Sequence, residues 1–255
     1  LVGSAFAQTT PFFVVQESAT FNQTGPTTTV LKGYEFFGEA GSNDFVTPLP
    51  ADDIGTLQIP SALGTVSMPP AGVELQFDSG NLDQATFQSE FPTGIYTFDL
   101  SGSEPAHQPM NVDVNIASGS VTVPTLTAAS FNALQGMDPT QDMPVDFNAF
   151  SGDEIEFAVL DSSDNVLFSE FVAGTEDTIP ANLLAAGEQY RLALVFVNVE
   201  TPTDGNGTEL DDNGQILLVS QGNTIFTTLP EPASALIGML GIGAWCGLSR
   251  RSRQR

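Results

Sequence analysis

Alternation of apolar and polar residues with a period of two is the dominant pattern of the chain. It runs through Val73–Phe77, Tyr96–Leu100, Val112–Ile116, Glu154–Phe157 and, at greatest length, Tyr190–Val199. A period of two places every second side chain on one face, as a strand with one dry side requires. Turn signals punctuate these runs at Thr24–Pro26, Gly41–Asn43, Asp78–Gly80, Ser151–Asp153 and Gln221–Asn223. With 24 Gly and 17 Pro spread along the sequence, long helices are not expected before residue 233. The pattern predicts an all-β fold of sandwich type. Ser118–Pro124 reads as a last strand running into a short linker, which divides the body into two units, 8–123 and 124–229, rather than one large sandwich.

The second unit carries the clearer fold signature. Gly187 stands three residues before Tyr190, at the start of the long alternating run. In fibronectin type III and immunoglobulin-like sandwiches a Tyr near the start of strand F turns its hydroxyl back to backbone a few residues upstream. Residues 124–229 therefore resemble such a module, with Phe157, Leu192, Leu194 and Phe196 facing its core. Gly94 and Tyr96 repeat the arrangement in a shorter form and point to a related sandwich in 8–123. The single Cys and single Trp, Cys246 and Trp245, lie outside both units. The disulfide and core Trp of antibody domains are thus absent, and a strict immunoglobulin assignment is not warranted.

Charge sharpens the picture at the end of the sequence. Of six basic residues, Arg250, Arg251, Arg253 and Arg255 fall in the last six positions. Up to Leu229 only Lys32 and Arg191 stand against 30 of the 31 acids, and the whole chain carries a formal charge of −25. Nucleic acid is excluded as a partner, because affinity for phosphate comes from Lys and Arg. Self-repulsion keeps so acidic a body dispersed and draws cations to it. Ahead of the Arg cluster, Ala233–Leu248 is an uncharged stretch of 16 residues, about 24 Å long as a helix. That is a little short of the roughly 30 Å hydrocarbon layer, so thinning or flanking residues must help it span. Arg residues stay on the cytoplasmic side, which puts the acidic body outside. At the other end, Ala5-Phe6-Ala7 before Gln8 has the small-x-small pattern that signal peptidase cuts, so residues 1–7 are expected to be a signal-peptide remnant. The two ends demand the same topology.

Pro230-Glu231-Pro232, a short apolar helix at 233–248 and a terminal Arg cluster, in that order, closely resemble the PEP-CTERM sorting signal. The resemblance covers residues 230–255. It implies export across the inner membrane of a Gram-negative bacterium and recognition by an exosortase. It further implies cleavage near Pro230–Pro232 and release to the cell surface or the extracellular polysaccharide. The helix is then a transient device at the inner membrane, the other reading being a permanent anchor.

The remaining chemistry is sparse. Asp204, Asn206, Asp211 and Asp212 crowd oxygen ligands onto one loop, which suits Ca²⁺. An EF-hand count from Asp204 fails, because Glu209 stands where Gly belongs and Gln215 where the bidentate Glu belongs. A looser cation loop or a solvated hairpin remains. His107 is the only histidine and reads as a surface loop residue; no Gly-x-Ser-x-Gly elbow occurs. Three Tyr and no Trp in the body make a poor lining for a glycosidase cleft. The sequence is thus read as an exported, non-enzymatic surface or matrix protein with no cofactor, associated with extracellular polysaccharide. The rival is a calcium-dependent carbohydrate-binding or adhesive module.

Overall fold

Phe13-x-Val15-x-Glu17-x-Ala19-x-Phe21 is an alternating run, and it forms the centre of the largest sheet. The computed structural model describes residues 11–42, 55–71, 74–100, 107–112, 116–118, 121–204, 206–210 and 214–230. Fourteen strands appear there: β1 (Pro11–Gly25), β2 (Thr28–Ser42), β3 (Gly55–Gln58), β4 (Thr65–Met68), β5 (Pro70–Ala71), β6 (Glu74–Asp78), β7 (Gly94–Leu100), β8 (His107–Val112), β9 (Met143–Asp146), β10 (Glu154–Leu160), β11 (Val166–Phe171), β12 (Glu176–Ile179), β13 (Gln189–Glu200) and β14 (Gly214–Thr227). Two helices of seven residues each, α1 (Gln84–Glu90) and α2 (Ala128–Leu134), and a 3₁₀ turn at Ile116–Ser118 complete the described elements. Among the described residues the fold is all-β, with helices only as short plugs.

An eight-stranded sheet in the order β11-β10-β13-β14-β1-β2-β6-β5 runs through the whole body. All its named pairs are antiparallel except β1 with β14, which run parallel from Phe13 opposite Gly214 to Gln23 opposite Thr224. One half of this sheet faces a four-stranded sheet, β4-β3-β7-β8. Phe13, Val15, Phe36, Ile216 and Leu218 meet Leu57, Tyr96, Phe98 and Met110 there, all buried. Phe91, at the end of α1, stacks on Phe36 with ring centroids 4.3 Å apart. The other half faces the β9–β12 pair and α2, and Phe157, Leu192, Leu194, Phe196 and Phe226 pack on Phe131, Leu134, Val145 and Ile179. Each large side chain so buried contributes about 1.5–3 kcal/mol. Both helices are capped from the sequence: Asp83 accepts the Thr86 N–H at 2.9 Å and Thr127 accepts the Ser130 N–H at 3.3 Å.

β14 feeds both cores, with Ile216 and Leu218 in the first and Phe226 in the second. The expected division at 123/124 therefore cuts a shared sheet. The chain crossing that point is pinned. The buried Gln23 side chain grips Leu126 as a strand would, donating to its carbonyl at 3.1 Å and accepting its N–H at 2.8 Å. Asn148 accepts the Thr125 N–H at 2.7 Å and donates to the Val123 carbonyl at 3.1 Å.

Several expectations are met locally. Strands cover most of Val73–Phe77 and all of Tyr96–Leu100, Glu154–Phe157 and Tyr190–Val199, and Phe157, Leu192, Leu194 and Phe196 are buried. Both Tyr corners form. The Ala185 N–H donates to the Tyr190 hydroxyl at 2.8 Å, and the Tyr96 hydroxyl donates to the Pro92 carbonyl at 2.8 Å. Gly187 takes a φ of 76°, where a side chain would be strained.

Four expectations are corrected. The strand at Val112–Ile116 ends at Val112, because Ile116 and Ala117 instead bury as a 3₁₀ turn held by the Glu17 carboxylate. For the same reason the expected last strand is not seen among the described residues of Ser118–Pro124, where Ser118 closes the 3₁₀ turn and 121–124 carry no strand. The turn at Gln221–Asn223 is the middle of β14: Gly222 stands there because Pro124 lies against it, and a Cβ would overlap the Pro124 carbonyl oxygen. His107 belongs to β8, opposite Asp99, rather than to a loop.

Gly222→Ala is accordingly expected to cost about 2–3 kcal/mol, the usual penalty for overpacking a rigid contact. The midpoint of urea unfolding would report it. Gln23→Leu should cost a comparable amount, since the Leu126 N–H and carbonyl both lose their partner in a dry interior.

Candidate functional site

Chemistry in this molecule concentrates on the middle of the shared sheet. The alternation of β1 that sends Phe13, Val15 and Ala19 into the first core sends Glu17 there too. It is fully buried, between Leu218 of β14 and Phe36 of β2. Its Oε2 accepts the Ile116 N–H at 2.7 Å, while Oε1 meets no hydrogen-bond partner. Burial pushes the Glu17 carboxyl up to about 8; the Ile116 N–H opposes this and the Glu200 carboxylate adds to it. Tyr96, whose hydroxyl is also raised by burial and then by Glu17, belongs to the same pocket of the core. At neutral pH this is a carboxylic acid held in the core.

On the opposite face of the sheet, β2 and β6 line up acids across their register, with Phe37 opposite Asp78, Glu39 opposite Gln76 and Gly41 opposite Glu74. Glu39 is pushed up to about 7, first by partial burial and then by Glu74, with which it shares a hydrogen bond. Gln76 donates to Glu74 at 2.9 Å. Glu35 is raised in the same way, by burial and then by Asp78.

Of the predicted cation loop, Asp204 and Asn206 are described. Asp204 Oδ1 accepts the N–H groups of Asn206 and Thr208, each at 2.8 Å, and these bonds hold its carboxyl below the usual range. The Asn206 backbone thus serves to close the turn. Asp211 and Asp212 lie outside the described residues. Among the described residues no group of three or more His, Cys, Asp or Glu is arranged to hold a metal.

Of the sorting residues, Pro230 is described and exposed; Glu231, Pro232, the expected helix at 233–248 and Arg250, Arg251, Arg253 and Arg255 lie outside the described residues. So do Ala5 and Ala7. No helix among the described residues is long and apolar enough to cross a membrane. Just ahead of the motif the backbone is held at Leu229, its N–H donating to Met137 at 2.9 Å and its carbonyl accepting from Gly187 at 3.0 Å.

Sequence reasoning passed over Glu17 and the Glu39–Glu74 pair. Glu17 was visible as the one charged member of an apolar alternation. The pair was not, because its partners come from strands 35 positions apart.

No family model and no curated protein matches the chain. Among solved structures it overlaps one concerned with host cell surface retention of a bacterial ice-binding adhesin, at 12% identity and a TM-score of 0.26, covering 85% of this chain and 65% of that one. The BSP domain of a biofilm-associated protein overlaps at 7% identity and 0.23, covering 90% and 68%. Fibronectin(III)-like modules of Clostridium thermocellum CbhA overlap at 11% identity and 0.21, covering 85% and 95%. The chain thus spans under two thirds of the adhesin chain's length, and overlaps at these scores do not establish a common fold.

Glu17 makes stability depend on pH in a defined direction. Above its ordinary value of 4.5 the unfolded chain gives up this proton, whereas the folded chain keeps it to about 8. The unfolded state then binds fewer protons, so stability falls as pH rises through that interval, by about 4 kcal/mol at 1.36 per unit. Thermal melts at pH 5 and pH 8 should show the loss. Glu17→Gln, which keeps the acceptor for Ile116 and cannot ionise, should show markedly less of it.

Proposed function

We propose that this chain is an exported, non-enzymatic protein of the bacterial cell surface or extracellular matrix. It is sorted by an exosortase acting at Pro230–Pro232 and placed among extracellular polysaccharide. Signal peptidase acts first at Ala7, and the apolar segment 233–248 holds the chain briefly at the inner membrane. The exosortase cut then releases the acidic body.

One observation carries this reading: the recognition motif begins directly after the last anchored residue of the sheet body. β14 ends at Thr227, Leu229 makes the last backbone bond among the described residues, and Pro230 is exposed. A protease can reach Pro230 without opening either core, and a cut there takes no described side chain out of the interior. The body itself suits a spacer or adhesive element. Two cores share one sheet, and its long-range pairing resists deformation without any cofactor. The high negative charge hydrates the surface and keeps it from collapsing onto anionic chains.

The test uses the single tryptophan. Trp245 is the only one in the sequence and lies in the segment to be removed. Protein recovered from the cell surface is expected to lack tryptophan emission on excitation at the red edge, while tyrosine emission remains. Its intact mass should correspond to a chain ending near Pro230. A surface form that retains Trp245 and the Arg cluster would overturn tail removal, and turnover of a polysaccharide by the purified body would overturn the non-enzymatic assignment.

A further inference from the structure

The eight-stranded sheet ends on β11, and that edge differs from those at β5 and β8. β5 at the far edge is two residues long and begins with Pro70. β8 carries Pro109, and its Asn111 N–H is taken by the Thr203 carbonyl at 2.8 Å. Both are the usual means of blunting an edge. β11 has six residues, no Pro, and three exposed apolar side chains: Val166 at 60%, Leu167 at 39% and Phe171 at 71%.

Its backbone is available as well. The Val172 N–H donates to Ile155 at 2.9 Å. Alternation along an antiparallel pair then turns the N–H and carbonyl of Phe171 and Ser169 away from β10, toward the open side. Beside Phe171 is a depression of about 260 Å³ lined by Asp153, Glu154, Ile155, Val172 and Ala173. Its floor is apolar and its rim is acidic.

Charge selects the occupant. Glu154 and Glu156 stand on β10 and Glu170 on β11 itself. None has a cation beside it among the described residues, where the bases are Lys32 and Arg191. Arg191 is held by Asp164 at 3.0 Å. A second copy would bring another set of these acids and another net charge of −25 to the same edge. An extended segment alternating apolar residues with Lys or Arg satisfies every feature at once. Its backbone completes the ladder, its aliphatic stems cover Phe171, and its charged heads reach Glu154 and Glu156, which share that face of the sheet.

We propose that β11 is a docking edge that takes an extended, basic, amphipathic segment of another protein as a ninth strand. Phe171 provides the apolar anchor, and Glu154 and Glu156 on the same face set the preference for positive charge.

The full chain is titrated with a dye-labelled peptide of roughly eight residues alternating Lys and Val, the length of an ordinary strand, and anisotropy is followed. Binding is expected, weakening as salt is raised. A Glu–Val peptide should fail for charge and a Lys–Gly peptide for want of apolar contact and strand propensity. Phe171→Lys and Ser169→Pro should each weaken the Lys–Val peptide at least tenfold. Both positions are exposed, and an unchanged thermal melt confirms that the variants fold. Equal binding of the Lys–Gly peptide, untouched by Phe171→Lys, would reduce the effect to general attraction of polycations and overturn the proposal. Self-association in sedimentation, abolished by Phe171→Lys with no peptide bound, would give the edge to a second copy instead. Failure of the Lys–Val peptide to bind would also overturn it. None of these outcomes bears on whether the tail is cleaved.

Discussion

The parallel pairing of β1 with β14 is the constraint on which the remaining architecture depends. It joins the two ends of the described fold, from Phe13 beside Gly214 to Gln23 beside Thr224. Parallel strands cannot be joined by a tight turn, and here the connection is the rest of the molecule. Once this seam is made, the sheet is continuous from β11 to β5, and the two cores lie on one support. Gln23 and Gly222, both on the seam, then fix the crossing segment through Leu126 and Pro124. The halves are coupled by backbone ladder and buried amide contacts, so they behave as one mechanical body rather than as beads on a linker.

The same seam explains why a carboxyl group is tolerated in the first core. β1 is central, flanked on both sides, so its inward face has no route to solvent. Glu17 therefore answers a specific need, the otherwise unpaired N–H of Ile116, where a 3₁₀ turn replaces a strand. A neutral acid meets that need at modest cost, and an ionised one meets it at the expense of burying charge. On the outer face, burial and then Glu74 raise Glu39, and burial and then Asp78 raise Glu35.

The features legible in the sequence were local. A Tyr corner is decided within a few residues, and both Tyr190 and Tyr96 make theirs. The long run at Tyr190–Val199 reads as a strand because burial on one face writes itself into alternation. The features that could not be read were set by distant partners. Gly222 has the look of a turn residue and is a strand residue, because its missing side chain accommodates Pro124, nearly a hundred positions earlier. Val112–Ile116 has strand alternation, yet its end is bent into a turn by an acid on β1. Pro230-Glu231-Pro232 resembles a sorting motif only through the order of its parts, and the fold adds that the backbone is held at Leu229, immediately before Pro230. The open edge at β11 has no signature of its own, since Val166–Phe171 reads like any buried strand until its neighbours are counted.

The place of β14 also governs when the molecule can assemble. The slot beside β1 is empty until residues 214–227 have been made, and Ile216, Leu218 and Phe226 must arrive before either interior is sealed. A nascent chain emerging from its amino end cannot close early, however long it waits. Until that strand is in place the polypeptide stays uncompacted, so completion of the fold waits for nearly the whole described sequence.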